Sequence, residues 1–66
     1  MRGGQRVYVV LEDRIVVVGY MRRVREDYKG KCEKYLLYAL EDSPDVWFPS
    51  WDVHETRQAA ESALKR

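Results

Sequence analysis

The sequence predicts an all-β domain: four or five short antiparallel strands followed by one C-terminal helix. Three observations predict it. Valine, isoleucine and tyrosine crowd two early runs, Arg6–Leu11 and Ile15–Met21, and such side chains fit a pleated surface better than a helix. Polar clusters at Glu12–Arg14, Arg25–Lys34 and Glu41–Asp45 break the apolar runs into strand-length pieces. Only after Asp52 does the apolar spacing become helical. The runner-up is an α+β sheet of three or four antiparallel strands with that helix packed across one face. The two differ at Val53–Glu55, which is strand in one and helix in the other.

The first strand is Arg6–Leu11, closed by the polar break Glu12-Asp13-Arg14. The second is Ile15–Met21, with a possible extension to Val24. Arg25–Lys34 is charged, holds Gly30, and reads as a hairpin loop. Tyr35–Leu40 is the third strand. Glu41-Asp42-Ser43-Pro44-Asp45 reads as a turn, since proline and aspartate suit a type I turn. Val46-Trp47-Phe48 is a short fourth strand, ended by Pro49, which has no N–H to give a ladder. Val53, Arg57, Ala60 and Leu64 then fall on one helical face, with Ala63 beside them. Asp52 and Glu55 have the spacing of a capping box, which starts a helix at about Val53 and runs it to about Leu64. A second reading starts the helix at Thr56 and leaves Val53–Glu55 as a fifth, very short strand.

The chain has 66 residues and reads as a single domain, 1–66. At 7.9 kDa, area scaling gives a folded surface of about 4,400 Å² against about 11,500 Å² unfolded, a marginal degree of burial. Small domains compensate with disulfides, a metal or a partner chain. The single cysteine, Cys32, excludes an internal disulfide. Both early strands are apolar on both faces: Val7, Val9 and Leu11 oppose Tyr8 and Val10, while Ile15, Val17 and Met21 oppose Val16, Val18 and Tyr20. A half-solvated sheet alternates apolar and polar, so both faces must be covered. The helix can cover part of one, and a second protomer is the next candidate. The expected state is therefore a homodimer.

The element order resembles that of small SH3-like barrels of the KOW, Tudor and related bacterial types. The resemblance rests on Gly4-Gln5-Arg6-Val7 at the first strand and Val18-Gly19-Tyr20 in the second. It continues through Tyr35-Leu36-Leu37-Tyr38, Val46-Trp47-Phe48-Pro49 and a closing turn at Ser50-Trp51-Asp52-Val53. It covers residues 4–55 and implies an SH3-like antiparallel barrel. Tyr35–Asp52 and Gly19-Tyr20 are also similar in outline to the plasmid-encoded type II dihydrofolate reductases. That family places Val-Gln-Ile-Tyr at the pore of a tetramer. Here Val46-Trp47-Phe48 stands in that place, without the glutamine or the tyrosine hydroxyl. The likeness implies shared architecture and argues against that activity.

Catalysis has little to draw on. A Cys–His pair needs Cys32 and His54 within hydrogen-bond reach, with Asp52 or Glu55 to orient the base; the favoured reading is a surface thiol in a loop and a histidine at a helix start. Asp52, His54 and Glu55 offer metal ligands but a single imidazole, short of the usual zinc set. Gly3-Gly4 precedes a strand, so it lacks the helix a phosphate loop requires. The expectation is a non-enzyme without metal or cofactor. The longest apolar runs fall far short of about 20 residues, so no membrane span is expected. The start has no signal-peptide pattern, and with the unpaired thiol this predicts a cytoplasmic setting.

Charge and aromatic residues mark two candidate surfaces. Net charge is +1, but its placement is uneven. Arg22, Arg23, Arg25, Lys29, Lys31 and Lys34 crowd the segment before the third strand, whereas Glu41–Glu55 holds five acids and no lysine or arginine. The basic segment reads either as a solvated hairpin or as a phosphate-binding one on which Tyr28 stacks a base. Trp47, Phe48 and Trp51 lie within five positions beside Asp45, Asp52 and Glu55. Likeness to Tudor barrels implies that such an aromatic cluster takes cationic side chains through cation–π contacts of about 0.5–2 kcal/mol. The other reading makes both tryptophans core. The leading expectation is a protein-binding module with Trp47, Phe48 and Trp51 as anchors and Asp45, Asp52 and Glu55 as an acidic rim. The alternative is a nucleic-acid binder using Arg22, Arg23, Arg25, Tyr28, Lys29, Lys31 and Lys34.

Overall fold

The computed structural model describes residues 2–65. Among them the chain forms β1 (Arg6–Val10), β2 (Val16–Lys29), β3 (Glu33–Leu40), β4 (Ser43–Pro49), a single 3-10 turn (Ser50–Asp52), β5 (Val53–His54) and α1 (Arg57–Leu64). All five strands make one antiparallel sheet in the order β4-β3-β2-β1-β5. The long β2 pairs with β1 through residues 16–20 and with β3 through residues 21–29. It thus joins two ladders, and the sheet is barrel-like. This is the all-β fold with one C-terminal helix that the strand and helix patterns predict.

The inner face holds the core. Val7, Val9, Met21, Tyr38, Leu40 and Val53 are buried together, with Leu11, Val17, Leu36 and Phe48 packed against them. Gly19 lies between Val17 and Met21 on this face. Leu40 occupies the space above it, since a Cβ there would sit 2.5 Å from Leu40 Cδ1. Directly opposed residues share a face, so Tyr8, paired with both Val18 and His54, sets the outer face of β1, β2 and β5. The helix lies on that side: the Arg57 guanidinium stands 5.2 Å from the Tyr8 ring centre. It is capped by Thr56, whose Oγ1 accepts from the Ala59 N–H at 3.1 Å. At its other end the Arg14 guanidinium donates to the Leu64 carbonyl.

Four sequence expectations need correction. Arg25–Lys34 is no loop: β2 continues to Lys29, β3 begins at Glu33, and only Gly30–Cys32 turns. Charged residues suit a hairpin that stands in solvent, and Lys34 bridges to Glu26 at 2.7 Å. The turn before β4 is also shorter. Strand begins at Ser43, and Pro44 is tolerated because β4 is an edge strand. The helix starts after Thr56, so Val53 belongs to β5 and the second reading of this segment holds. Asp52 and Glu55 form no capping box, because Asp52 ends the 3-10 turn and Thr56 takes the capping role. Lastly, Leu11 and Ile15 lie outside β1 and β2, in the connecting turn where the Leu11 N–H donates to the Ile15 carbonyl at 2.9 Å.

Candidate functional site

A single inserted residue decides what the hairpin presents. Met21 pairs with Leu40, but the next pair is Arg23 with Ala39, leaving Arg22 as a bulge. One extra residue reverses the alternation of every side chain that follows. Val24, Glu26 and Tyr28 therefore share the face of Tyr38, Leu36 and Lys34, whereas Arg23, Arg25, Asp27 and Lys29 share the face of Ala39, Leu37, Tyr35 and Glu33. In β4, Phe48 pairs with Tyr38 and packs inward, and Trp47 takes the outer face.

The outer face of β2, β3 and β4 thus brings cations and aromatic rings together. The Arg25 and Arg23 guanidiniums stand 4.8 and 5.5 Å from the Trp47 ring centre. Arg23 also donates to the Pro44 carbonyl at 3.1 Å, which ties the hairpin to the start of β4. Lys29 Nζ lies 5.7 Å from the Trp51 ring centre, and Trp51 meets Tyr35 at 5.3 Å with a 40° tilt. Beneath this layer Ala39 (0 % exposed) and Leu37 (8 %) are buried although they face away from the core. Trp51 remains 55 % exposed. Among the described residues Asp27 is the one carboxylate paired into the array, 3.8 Å from Arg25.

The two surfaces foreseen in the sequence are therefore interleaved. Of the basic set, Arg23, Arg25 and Lys29 are on the outer face, Lys31 is in the tip turn, and Arg22 is in the bulge. Lys34 and Tyr28 are opposite each other on the other face of the hairpin. Of the aromatic–acidic set, Trp47 and Trp51 join the cationic layer, and Phe48 packs against the core. Asp45 and Glu55 are exposed, on β4 and after β5. Asp52 lines a groove of about 300 Å³ at the seam between β4 and the turn after β1, together with Trp47 and Phe48. Val10, Leu11, Glu12, Val46 and Pro49 complete its walls. Glu12 carries no sequence signal of this role, because only the fold brings the first turn beside β4.

Elsewhere, chemistry-bearing groups stay apart. Cys32 is exposed in the hairpin tip, whereas His54 is in β5, at the far edge of the sheet. His54 Nε2 is buried without a hydrogen-bond partner. Arg6, opposite Tyr20, has its pKa raised further above the ordinary value by hydrogen bonding to Tyr8 and then by Tyr20, so it stays charged at any working pH. Among the described residues no group of three His, Cys, Asp or Glu side chains is placed to hold a metal ion. No described helix is long and apolar enough to cross a membrane. No protein-family model, curated protein or solved structure matches the chain.

Proposed function

We propose that this protein is a non-catalytic binder of single-stranded nucleic acid, using the outer face of β2, β3 and β4. The observation that carries the reading is the layer of Arg23, Arg25 and Lys29 over Trp47 and Trp51. Binders of single strands combine a cationic track for phosphates with aromatic planes for bases. Arg23 to Lys29 spans about 20 Å at about 3.3 Å per residue, a track for a short tract of nucleotides. Trp51 and Tyr35 offer ring surface beside it, and the guanidiniums over Trp47 are themselves able to stack on bases.

The same geometry weakens the reading as a trap for cationic protein side chains through open aromatic faces. The Trp47 ring already has two of the chain's own guanidiniums beside it. The strand order, the bent β2 and the 3-10 turn before β5 support the likeness to SH3-like barrels. The reading needs no cofactor, and the exposed, unpaired Cys32 suits a reducing cytoplasm. We further propose self-association, supported by the exposed Ile15, Val18 and Tyr20 on and beside β2.

Fluorescein-labelled ten-residue oligo(dT) and oligo(rU), followed by anisotropy, test the function. Three phosphate contacts predict a slope of log affinity on log salt of about −2 for a single strand. Arg23→Glu with Arg25→Glu abolishes binding, and Trp51→Ala weakens it about tenfold or more, the loss of one stacked base. Absence of binding to either oligomer at low salt, or full affinity in the folded double charge reversal, overturns the proposal.

A further inference from the structure

We infer that the seam groove is a second, separate site, which takes an extended basic segment of a protein partner. Its apolar walls are Val10, Leu11, Val46, Phe48, Pro49 and Trp47. Two carboxylates, Glu12 and Asp52, stand in the lining, and no lysine or arginine does. Among the described residues neither carboxylate has a cation within ion-pairing distance. The other acids of this region, Asp13 and Asp45, are exposed. An apolar trough edged only by unpaired carboxylates is complementary to an aliphatic side chain flanked by lysine or arginine. It repels a phosphate backbone, which separates this site in chemistry from the cationic layer over Trp47.

The backbone beside the groove favours an extended occupant. β4 is the outer strand of the sheet. Its pairing to β3 is interrupted between Ser43 and Phe48, where the register shifts. Main-chain groups of an edge strand are free to pair with an added strand, and Pro44 and Pro49 bound the stretch that can do so. A segment laid there places alternate side chains toward the groove. The basic residues then meet Glu12 and Asp52 while the aliphatic one fills the trough.

The test uses the full chain, labelled with ¹⁵N, and two capped pentapeptides, Arg-Ala-Val-Ala-Lys, whose Arg, Val and Lys share one strand face, and its acidic counterpart Glu-Ala-Val-Ala-Glu. The basic peptide is expected to move amide signals of Val10–Glu12, Val46–Phe48 and Asp52 in a saturable way. The acidic peptide leaves them in place. Glu12→Gln with Asp52→Asn, nearly isosteric and folded by the same spectra, weakens binding at least about fivefold, the loss of two charge-assisted contacts. Val46→Lys, at an already exposed position, fills the trough with a competing ammonium and removes binding. Equal response to both peptides, no saturable shift at millimolar peptide, or shifts confined to the hairpin overturns the inference. Oligonucleotide affinity is unchanged in the Glu12 and Asp52 variant; its loss assigns the groove to the nucleic-acid site and overturns the separation.

Discussion

Gly19 shows how much one atom decides. It carries an ordinary backbone angle, so conformational freedom is not what reserves the position for glycine. Leu40 does, because its Cδ1 stands 2.5 Å from where a Cβ would be. Leu40 belongs to the packed core and has little room to retreat. Gly19→Ala is therefore expected to destabilise the fold by about 1–3 kcal/mol, the usual cost of overpacking. Urea unfolding measures it, and a midpoint equal to that of the unmodified chain contradicts the packing argument. From sequence, the Val18-Gly19-Tyr20 step was legible as part of a strand, but Leu40 as the reason for it was not. The same holds for Trp47 and Trp51. Their clustering was visible, yet the choice between core and surface depended, for Trp47, on which side of β4 faced Tyr38 and, for Trp51, on a 3-10 turn that the sequence does not mark.

At the scale of elements, the bulge at Arg22 matters most. The sequence reads as a strand to Met21 or Val24 and a loop from Arg25, and nothing in the residue types marks the extra residue. Were Arg22 paired instead of bulged, Arg23 and Arg25 would turn toward the Tyr38 side and Val24 toward Trp47. Deletion of Arg22 closes the bulge and leaves Arg23 opposite Ala39 and Val24 opposite Tyr38, so the face pattern is kept and a cooperative unfolding transition in far-ultraviolet dichroism is expected to persist. One alanine inserted after Arg23 instead shifts Arg25 to the place opposite Leu36, on the Tyr38 side, and takes its guanidinium off Trp47. Tryptophan emission is therefore expected to change in the insertion variant and to stay close to that of the unmodified chain in the deletion variant. Unchanged emission in the insertion variant refutes the face-switching account. The helix taught a different lesson. Two helix starts were open to the sequence, one at about Val53 with Asp52 and Glu55 as a capping box and one at Thr56, and tertiary pairing of Val53 with Val9 decided for the later one. Strand identities were readable because β-branched runs are local signals. Boundaries were not, since polar residues in a solvated hairpin look the same as polar residues in a loop.

For the molecule as a whole, surface area sets the remaining question. The accessible surface is 5002 Å², about 600 Å² more than the 4,400 Å² or so expected of a compact chain of this mass. The outer face of β2 leaves apolar side chains uncovered: Val18 is 49 % and Tyr20 41 % exposed, with Ile15 beside them. The helix covers Tyr8 and stops short of these residues. Sequence reasoning anticipated that both faces of β1 and β2 require cover, and α1 supplies only part of it. A standard interface buries about 800 Å² per partner, close to the excess carried here. Sedimentation velocity at about 100 μM is therefore expected to give a dimer whose population falls on dilution by mass action. Val18→Lys with Tyr20→Lys places like charges across the proposed contact without touching the core, and should leave a folded monomer. If the unmodified chain sediments as a monomer at that concentration, the uncovered strand face is not a self-association surface. If the charged variant remains a dimer, the contact lies elsewhere, and the exposed edge of β4 becomes the surface to mutate next.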